Sequence, residues 1–497
     1  MTDHGILAPA WAATGAAELV DDNALLRAML ATEVALAEAQ AELGVIPAGA
    51  AVAIRAAAVP ASIDLAALAA GVRATANPVV AFVEQLTAAV RTVDASAAEY
   101  VHRGSTSQDI LDTALALLCA AALDRIADDL LACADSLAGH VERHRDTPMA
   151  GRTLTQHAVP VTFGLKAATW LHLVLDAVAR VRRARAALPV SMGGAAGTLA
   201  AYHQYALETT GASEATGNRT WASEATGNRT WASEATGNRT GASDPVSATL
   251  RLPALVADRL GLVEPILPWH GIRTPLADVA ASLMVTTGGL GKLAADVLVL
   301  SRTEIGEVTE ERVPGQGASS AMPQKHNPVF ATLVATAARQ LPPIALVLFG
   351  SMAVDDERSS GGWHAEWQPL RECLRIGAGA AANAARLAQT LEVSPQAMAA
   401  NLRLTRGAIV TERVNAVLAP LLGKGPAKRL LAEVTAAAER DGADVADLLA
   451  VALQRETVDC PDVPGLFDPS GYTGISGPLV DRALLRFASV IKESSHE

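Results

Sequence analysis

Two long stretches, each free of interior proline, set the terms on which this chain can fold. From Ile110 towards Arg145, and again after Thr274-Pro275 towards Glu311, apolar residues recur at helical spacing over lengths far beyond an average helix. In the first, Leu117, Leu118, Ala121, Ile126 and Leu130 fall on more than one side, which suits a helix buried within a bundle. In the second, Thr274 reads as the cap and Pro275 as a first-turn proline, and Gly288, Gly289 and Gly291 would bend the helix or let another approach closely. Half of the residues are hydrophobic but only 3% are aromatic, and alanine is abundant, so closely packed helices are favoured over sheets. The chain is expected to be all-α.

Shorter helices follow the same logic. Asp22 should cap one that carries Leu25, Leu26, Met29, Leu30 and Val34 and ends at Gly44. Others should stop at Pro189, start at Ser394-Pro395, and run from Pro328 with an interruption at Pro342-Pro343. The net charge of -12, with basic residues scattered, argues against a nucleic-acid footprint. Met1 to Ala10 lacks the basic and apolar regions of a signal peptide, and no run reads as long and charge-free enough to span a bilayer. A soluble, cytoplasmic protein is expected. Cys119, Cys133, Cys373 and Cys460 lie far apart and show no metal-ligand spacing, so they read as core thiols.

One segment is foreign to the rest. The unit Glu-Ala-Thr-Gly-Asn-Arg-Thr-Trp-Ala-Ser begins at Glu214, recurs from Glu224, and recurs from Glu234 with Gly241 in place of tryptophan. Deleting 214–243 rejoins Ser213 to Asp244 smoothly, so the simplest account is a tandem expansion within a loop, with little to bury. It is expected to be a solvent-exposed excursion.

The densest chemistry lies between Pro314 and Pro328, where glycines and prolines interrupt two helical segments. Ser319 and Ser320 supply hydroxyls, Lys325 a cation and Asn327 an amide, which together suit proton exchange at a carbon acid. Asn327-Pro328 reads as an N-cap and first-turn proline, and the start of that helix would welcome an anion.

Ser319 to Pro328 resembles the signature loop of the fumarase/aspartase superfamily, which includes adenylosuccinate lyase, argininosuccinate lyase and 3-carboxy-cis,cis-muconate cycloisomerase. The resemblance implies that Ser319 exchanges a proton with the carbon next to a substrate carboxylate, that Lys325 and Asn327 help hold that carboxylate, and that Ser320 and Met322 line the site. Val101 to Asp109 is similar to a second signature, in which Thr106, Ser107 and backbone N–H groups bind a carboxylate at a helix start beside the cations His102 and Arg103. Gly151 to Pro160 is similar to a third, with Arg152 and Thr153 in pattern and His157 offset as a packing residue. There Leu154 stands where lyases that expel an amine have histidine, and Asn77 departs from adenylosuccinate lyases in the same way. Pro268-Trp269-His270 with Arg273, and Glu357 to Trp367 with Arg358, resemble the cycloisomerase branch. The glycine-rich turn Ser191 to Thr198 also fits the superfamily and is assigned no chemistry.

What this implies is a three-domain fold: a helical domain over 1–108, a central long-helix bundle over 109–354 carrying the 214–243 insertion, and a helical domain over 355–497. The bundle would build a homotetrameric core with active sites shared between chains, and neither a metal nor an organic cofactor is called for. The implied reaction runs through a carbanion spread into the substrate carboxylate, stabilised by Lys325, Asn327 and the donors near Thr106. A lactone carboxylate, with an acid pKa of about 4, departs unaided, so Leu154 and Asn77 favour a cycloisomerase that interconverts 3-carboxy-cis,cis-muconate and 4-carboxymuconolactone in aromatic-compound degradation, acting on a small tricarboxylate. The alternative, an adenylosuccinate-type or other superfamily lyase releasing fumarate, would need an acid from elsewhere, with His102 and His157 as candidates. A catalytically silent, crystallin-like role is the reading of another class.

Overall fold

In a computed structural model, the chain is described over residues 5–209 and 244–494, apart from 314, 320 and 461. The 214–243 repeat and Ser320 lie outside the described residues. Four helices, α1 (Asp22–Glu42), α2 (Ala48–Ala57), α3 (Leu65–Thr75) and α4 (Pro78–Val93), lead into α5 (Ser107–Arg143). At 37 residues α5 spans about 55 Å. A two-stranded antiparallel hairpin, β1 (Pro148–Thr153) and β2 (Gln156–Thr162), returns the chain into α6 (Phe163–Ala186). Then follow α7 (Ala200–Thr209), α8 (Pro245–Leu260) and the 27-residue α9 (Thr274–Leu300), which spans about 40 Å.

The short strand β3 (Val308–Glu310) precedes the loop that leads into α10 (Val329–Gly350); α11 (Gly362–Thr390) returns along the bundle to β4 (Leu391–Val393), which pairs antiparallel with β3. The remaining helices are α12 (Pro395–Leu402), α13 (Thr411–Leu422), α14 (Lys424–Asp441), α15 (Val445–Arg455), α16 (Val463–Leu466) and α17 (Ser476–Ser494).

Polar contacts fix how the bundle is laid. Arg273, at the start of α9, bridges Asp112 near the start of α5 and Glu366 near the start of α11, so these three helices begin at one end. At the other end His140 Nε2 lies 3.0 Å from the carbonyl of Ala388, and Trp170 near the start of α6 donates to Asp296 near the end of α9. Thus α5, α9 and α11 run one way and α6 runs back. A single apolar core extends from Ala10 to Val480 and includes the buried faces of α5, α6, α9, α10 and α11. A separate small core, with Val414, Leu418, Leu431, Val434 and Leu449, joins α13 to α15. α11, placed beyond the expected boundary at 354/355, is part of the bundle core.

The structure corrects several expectations. Asp21, not Asp22, caps α1, its carboxylate accepting from the N–H of Ala24. The second long helix stops at Leu300 and not near Glu311, because Glu307 and β3 turn aside to meet Arg152 and β4. Arg273, not Thr274, holds the cap position of α9, although Pro275 does sit in its first turn. α10 continues through Pro342-Pro343, held between α9 and α11 by burial of Leu341, Ala345 and Leu348. Gly291 is the glycine that admits a neighbour, since a Cβ there would sit 2.7 Å from that of Ala338 on α10. Finally, α9 and α10 are long and apolar enough, by length and composition, to cross a bilayer, whereas no such run was expected. Each packs one face into the bundle and leaves an apolar face exposed, with Val285 48%, Leu346 63% and Val347 41% accessible.

Candidate functional site

The loop from His102 to Thr106 is bent by two left-handed residues, His102 (φ 56) and Gly104 (φ 78). Glycine is required at 104, where a Cβ would lie 2.8 Å from the Tyr202 ring. His102 is held in its unusual conformation by Glu33 of α1, fully buried, whose Oε1 is 2.5 Å from His102 Nδ1. Burial pushes the His102 pKa down, but the charge of Glu33, its hydrogen bond and the nearby Asp109 more than reverse this, so the imidazole keeps its proton above the ordinary histidine range. Arg103 stacks on Tyr205, 3.9 Å from the ring centroid, and its buried Nε has no hydrogen-bond partner among the described residues.

Thr106 and Asp109 form a capping box at the start of α5. Arg358 reaches the same point, donating to Thr106 Oγ1 at 3.0 Å and to Gln108 Oε1 at 2.9 Å. Ser107 is the first residue of the helix. Beneath lies a sealed polar layer. Asp109 accepts from the N–H groups of Gly193 and Gly194 and from Tyr202 Oη, and its Oδ1 is 2.8 Å from His270 Nε2. The Gly193-Gly194 turn, to which no chemistry was assigned, therefore locks the base of the Thr106 loop. Asp112 takes Arg273 Nη1 at 2.7 Å and the Trp363 indole N–H at 2.9 Å. Arg273, expected at the substrate, is closed off from solvent between Asp112 and Glu366, with its donors already committed.

A second cluster occupies the opposite end of the bundle. Arg152, on β1, makes a bidentate pair with the fully buried Glu307 at 2.7 and 2.9 Å, and Asn401 donates to the same carboxylate. Thr153 is exposed. The hairpin turn uses Leu154 and Thr155, both left-handed (φ 48 and 71), and Leu154 is 95% exposed at its tip. His157 has a buried Nδ1 without a hydrogen-bond partner among the described residues, and burial followed by the charge of Arg152 lowers its pKa. Burial likewise lowers that of Lys166 on α6.

The Ser319 loop springs from β3 at this same end. It closes at its base through the Asn327 N–H to the Gly317 carbonyl (2.9 Å) and a bridge between Ala318 and His326. Ser319 is half-buried, and its Oγ accepts from the N–H of Met322 at 3.2 Å. Met322 and Lys325 are exposed. Asn327 does not cap α10 but donates its side-chain amide to Gly317. The anion expected at that helix start is supplied by the chain itself: buried Glu310 accepts from the N–H groups of Phe330 and Ala331 at 3.1 and 2.9 Å.

The candidate residues therefore fall into two half-sites. His102, Arg103, Thr106, Ser107 and Arg358 gather at one end of the bundle, and Arg152, Thr153, Ser319, Lys325 and Asn327 at the other, separated by the length of α9, about 40 Å. Glu33, Asp112, Glu307, Glu310 and Glu366, which organise both ends, were not singled out from the sequence. Buried acids within apolar helical stretches, as in Ala31-Thr32-Glu33-Val34-Ala35, were the available signal.

A family model described as lyase matches residues 11–230 and 231–342. The chain belongs to the fumarase/aspartase superfamily. Among superfamily members, it is 49% identical to a nitrosuccinate lyase of Streptomyces davaonensis, over 97% of this chain and 95% of that protein. It is 35% identical to a 3-carboxy-cis,cis-muconate cycloisomerase of Bradyrhizobium diazoefficiens, over 96% of this chain and 97% of the relative. The structure superposes on the 3-carboxy-cis,cis-muconate lactonizing enzyme of Pseudomonas putida with a TM-score of 0.83 at 32% identity, covering 98% of this chain and 99% of that one.

Proposed function

We propose that this superfamily enzyme eliminates nitrite from a nitrosuccinate-type dicarboxylate, leaving fumarate. Leu154 carries the reading: the hairpin that presents it offers a leucine where expulsion of an amine calls for an acid. Nitrite is a weak base and departs with the electron pair of the broken C–N bond, so no proton need be delivered to it. Ser319 takes the proton from the neighbouring carbon, the electrons of that C–H bond pass through the aci-carboxylate into the new double bond, and Lys325 and Asn327 stabilise the charge as it develops. The Thr106 helix start, with Arg358 and His102 beside it, binds the other carboxylate. The 49% identity to a nitrosuccinate lyase, against about 35% for the cycloisomerases, favours this substrate over the expected carboxymuconate.

Cycloisomerisation of 3-carboxy-cis,cis-muconate is the second reading, supported by the same Leu154 and by the fold match to the lactonizing enzyme. Purified protein is tested with 2-nitrosuccinate, following nitrite and fumarate, and with 3-carboxy-cis,cis-muconate, following loss of its ultraviolet absorbance. Nitrite release without turnover of the muconate is expected. Turnover of the muconate alone would establish the second reading, and turnover of adenylosuccinate in place of both would overturn the leaving-group argument.

The half-sites are proposed to meet between copies of the chain in a homotetramer, because about 40 Å within one chain cannot be closed around a small dicarboxylate. The exposed apolar faces of α9 and α10 supply a surface for that assembly.

A further inference from the structure

A groove of about 700 Å³ runs between α6 and α17, with Lys292 of α9 at one edge. Its lining is mainly apolar, with Leu165, Leu173, Leu479 and Ala483 among the residues that make it. Along α6 it extends from Leu165 to Leu173, about 12 Å of helix. The volume falls within the range of small-molecule sites, about 300–1,000 Å³.

Charge sets this groove apart from the rest of the surface. The chain carries a net charge of -12, yet Lys292, Arg482 and Arg486 all line the groove and no carboxylate among the described residues does. Two of the cations are answered from outside the lining: Lys292 pairs with Asp296, and Arg486 pairs with Asp176 while donating to His172 Nδ1 at 2.6 Å. Arg482 makes no hydrogen bond or ion pair with a described residue. One unanswered positive charge beside an apolar trough selects a ligand with one negative charge and an apolar chain. A carboxylate matches it, because it carries a single charge at pH 7 where a phosphate monoester carries about -1.5 to -2, and its two oxygens fit the guanidinium fork.

We propose that this groove is a second binding site, for a free medium-chain fatty carboxylate whose head meets Arg482 and whose chain lies along α6. This does not rest on the catalytic reading. The test is calorimetric titration of the full-length protein with decanoate below its micellar concentration, in excess fumarate to occupy any site for small dicarboxylates. Saturable binding is expected, tighter than that of decanol, which lacks the charge. It should also be up to about fifteenfold tighter than that of octanoate, since each buried methylene is worth about fourfold. Arg482→Gln should weaken decanoate binding about two- to fivefold, the value of an exposed ion pair, and leave decanol unchanged. Ala483→Trp, which fills the groove from α17, should abolish binding of both. Absence of saturable binding, equal affinity for decanoate and octanoate, or wild-type affinity in both variants overturns the proposal. So does binding to phosphatidylglycerol vesicles without binding of free decanoate, which would make the groove a membrane contact, or a molar mass altered by Ala483→Trp when the parent binds no decanoate, which would make it a contact between copies.

Discussion

Ser319 and Glu33, one in each half-site, show how differently two residues of the proposed shared site are written in a sequence. Ser319→Ala removes the proposed proton carrier from a half-buried loop position, so turnover should fall about a thousandfold while circular dichroism and the melting temperature stay unchanged; Lys325→Met should cost a similar factor. Near-normal turnover in Ser319→Ala would mean that another group is the base. Glu33 acts through His102. The folded protein holds the His102 proton more tightly than the unfolded chain, so the pair stabilises fully below the unfolded value of about 6.5 and its contribution is lost as pH rises through the higher folded value. In Glu33→Gln that component of the pH dependence should vanish, and melting curves recorded from about pH 6 to pH 9 would reveal it by comparison with the parent. Unchanged pH dependence would show that Glu33 does not set the histidine's charge. Ser319, Lys325 and Thr106 stand out as candidates because turn and cap chemistry is local. The acids do not, since Glu33 meets His102 and Glu366 meets Arg273 across long sequence separations that no spacing encodes.

At the scale of elements, the helices were readable and their ends less so. The long amphipathic run from Ile110 gave α5 because its apolar positions are buried around the helix. Pro342-Pro343 misled because packing against α9 and α11 outweighs a local penalty of about 3 kcal/mol. The hairpin was missed altogether; its turn carries Leu154-Thr155, without the glycine or asparagine that marks such turns. Replacing Leu154-Thr155 with Asn-Gly should relieve two left-handed strains and raise stability by about 1–3 kcal/mol, read as an increase in melting temperature. A fall would mean that the leucine contributes packing in the assembled protein. Deleting 214–243, between α7 and α8, should leave turnover and assembly intact, because lengthening a loop costs only about 0.6 kcal/mol per doubling. Loss of either would assign the repeat a role in assembly or at the site.

For the whole molecule, the superfamily fold was legible almost throughout, yet one chain does not bring its own signature-like segments together. The reason lies in helix length: α5, α9 and α11 carry Thr106, Arg273 and Arg358 at one end and deliver Arg152 and the Ser319 loop at the other. A sequence shows which segments carry chemistry but not that rigid helices hold them about 40 Å apart. The most direct test of a site shared between copies is complementation. Thr106→Ala and Ser319→Ala chains, each inactive alone, are denatured together and renatured, and turnover is compared with that of each variant treated separately. If sites draw Thr106 from one chain and Ser319 from another, the mixture regains a measurable fraction of wild-type turnover. A mixture as inactive as its parents, from chains that have refolded and exchanged, would contradict the shared site.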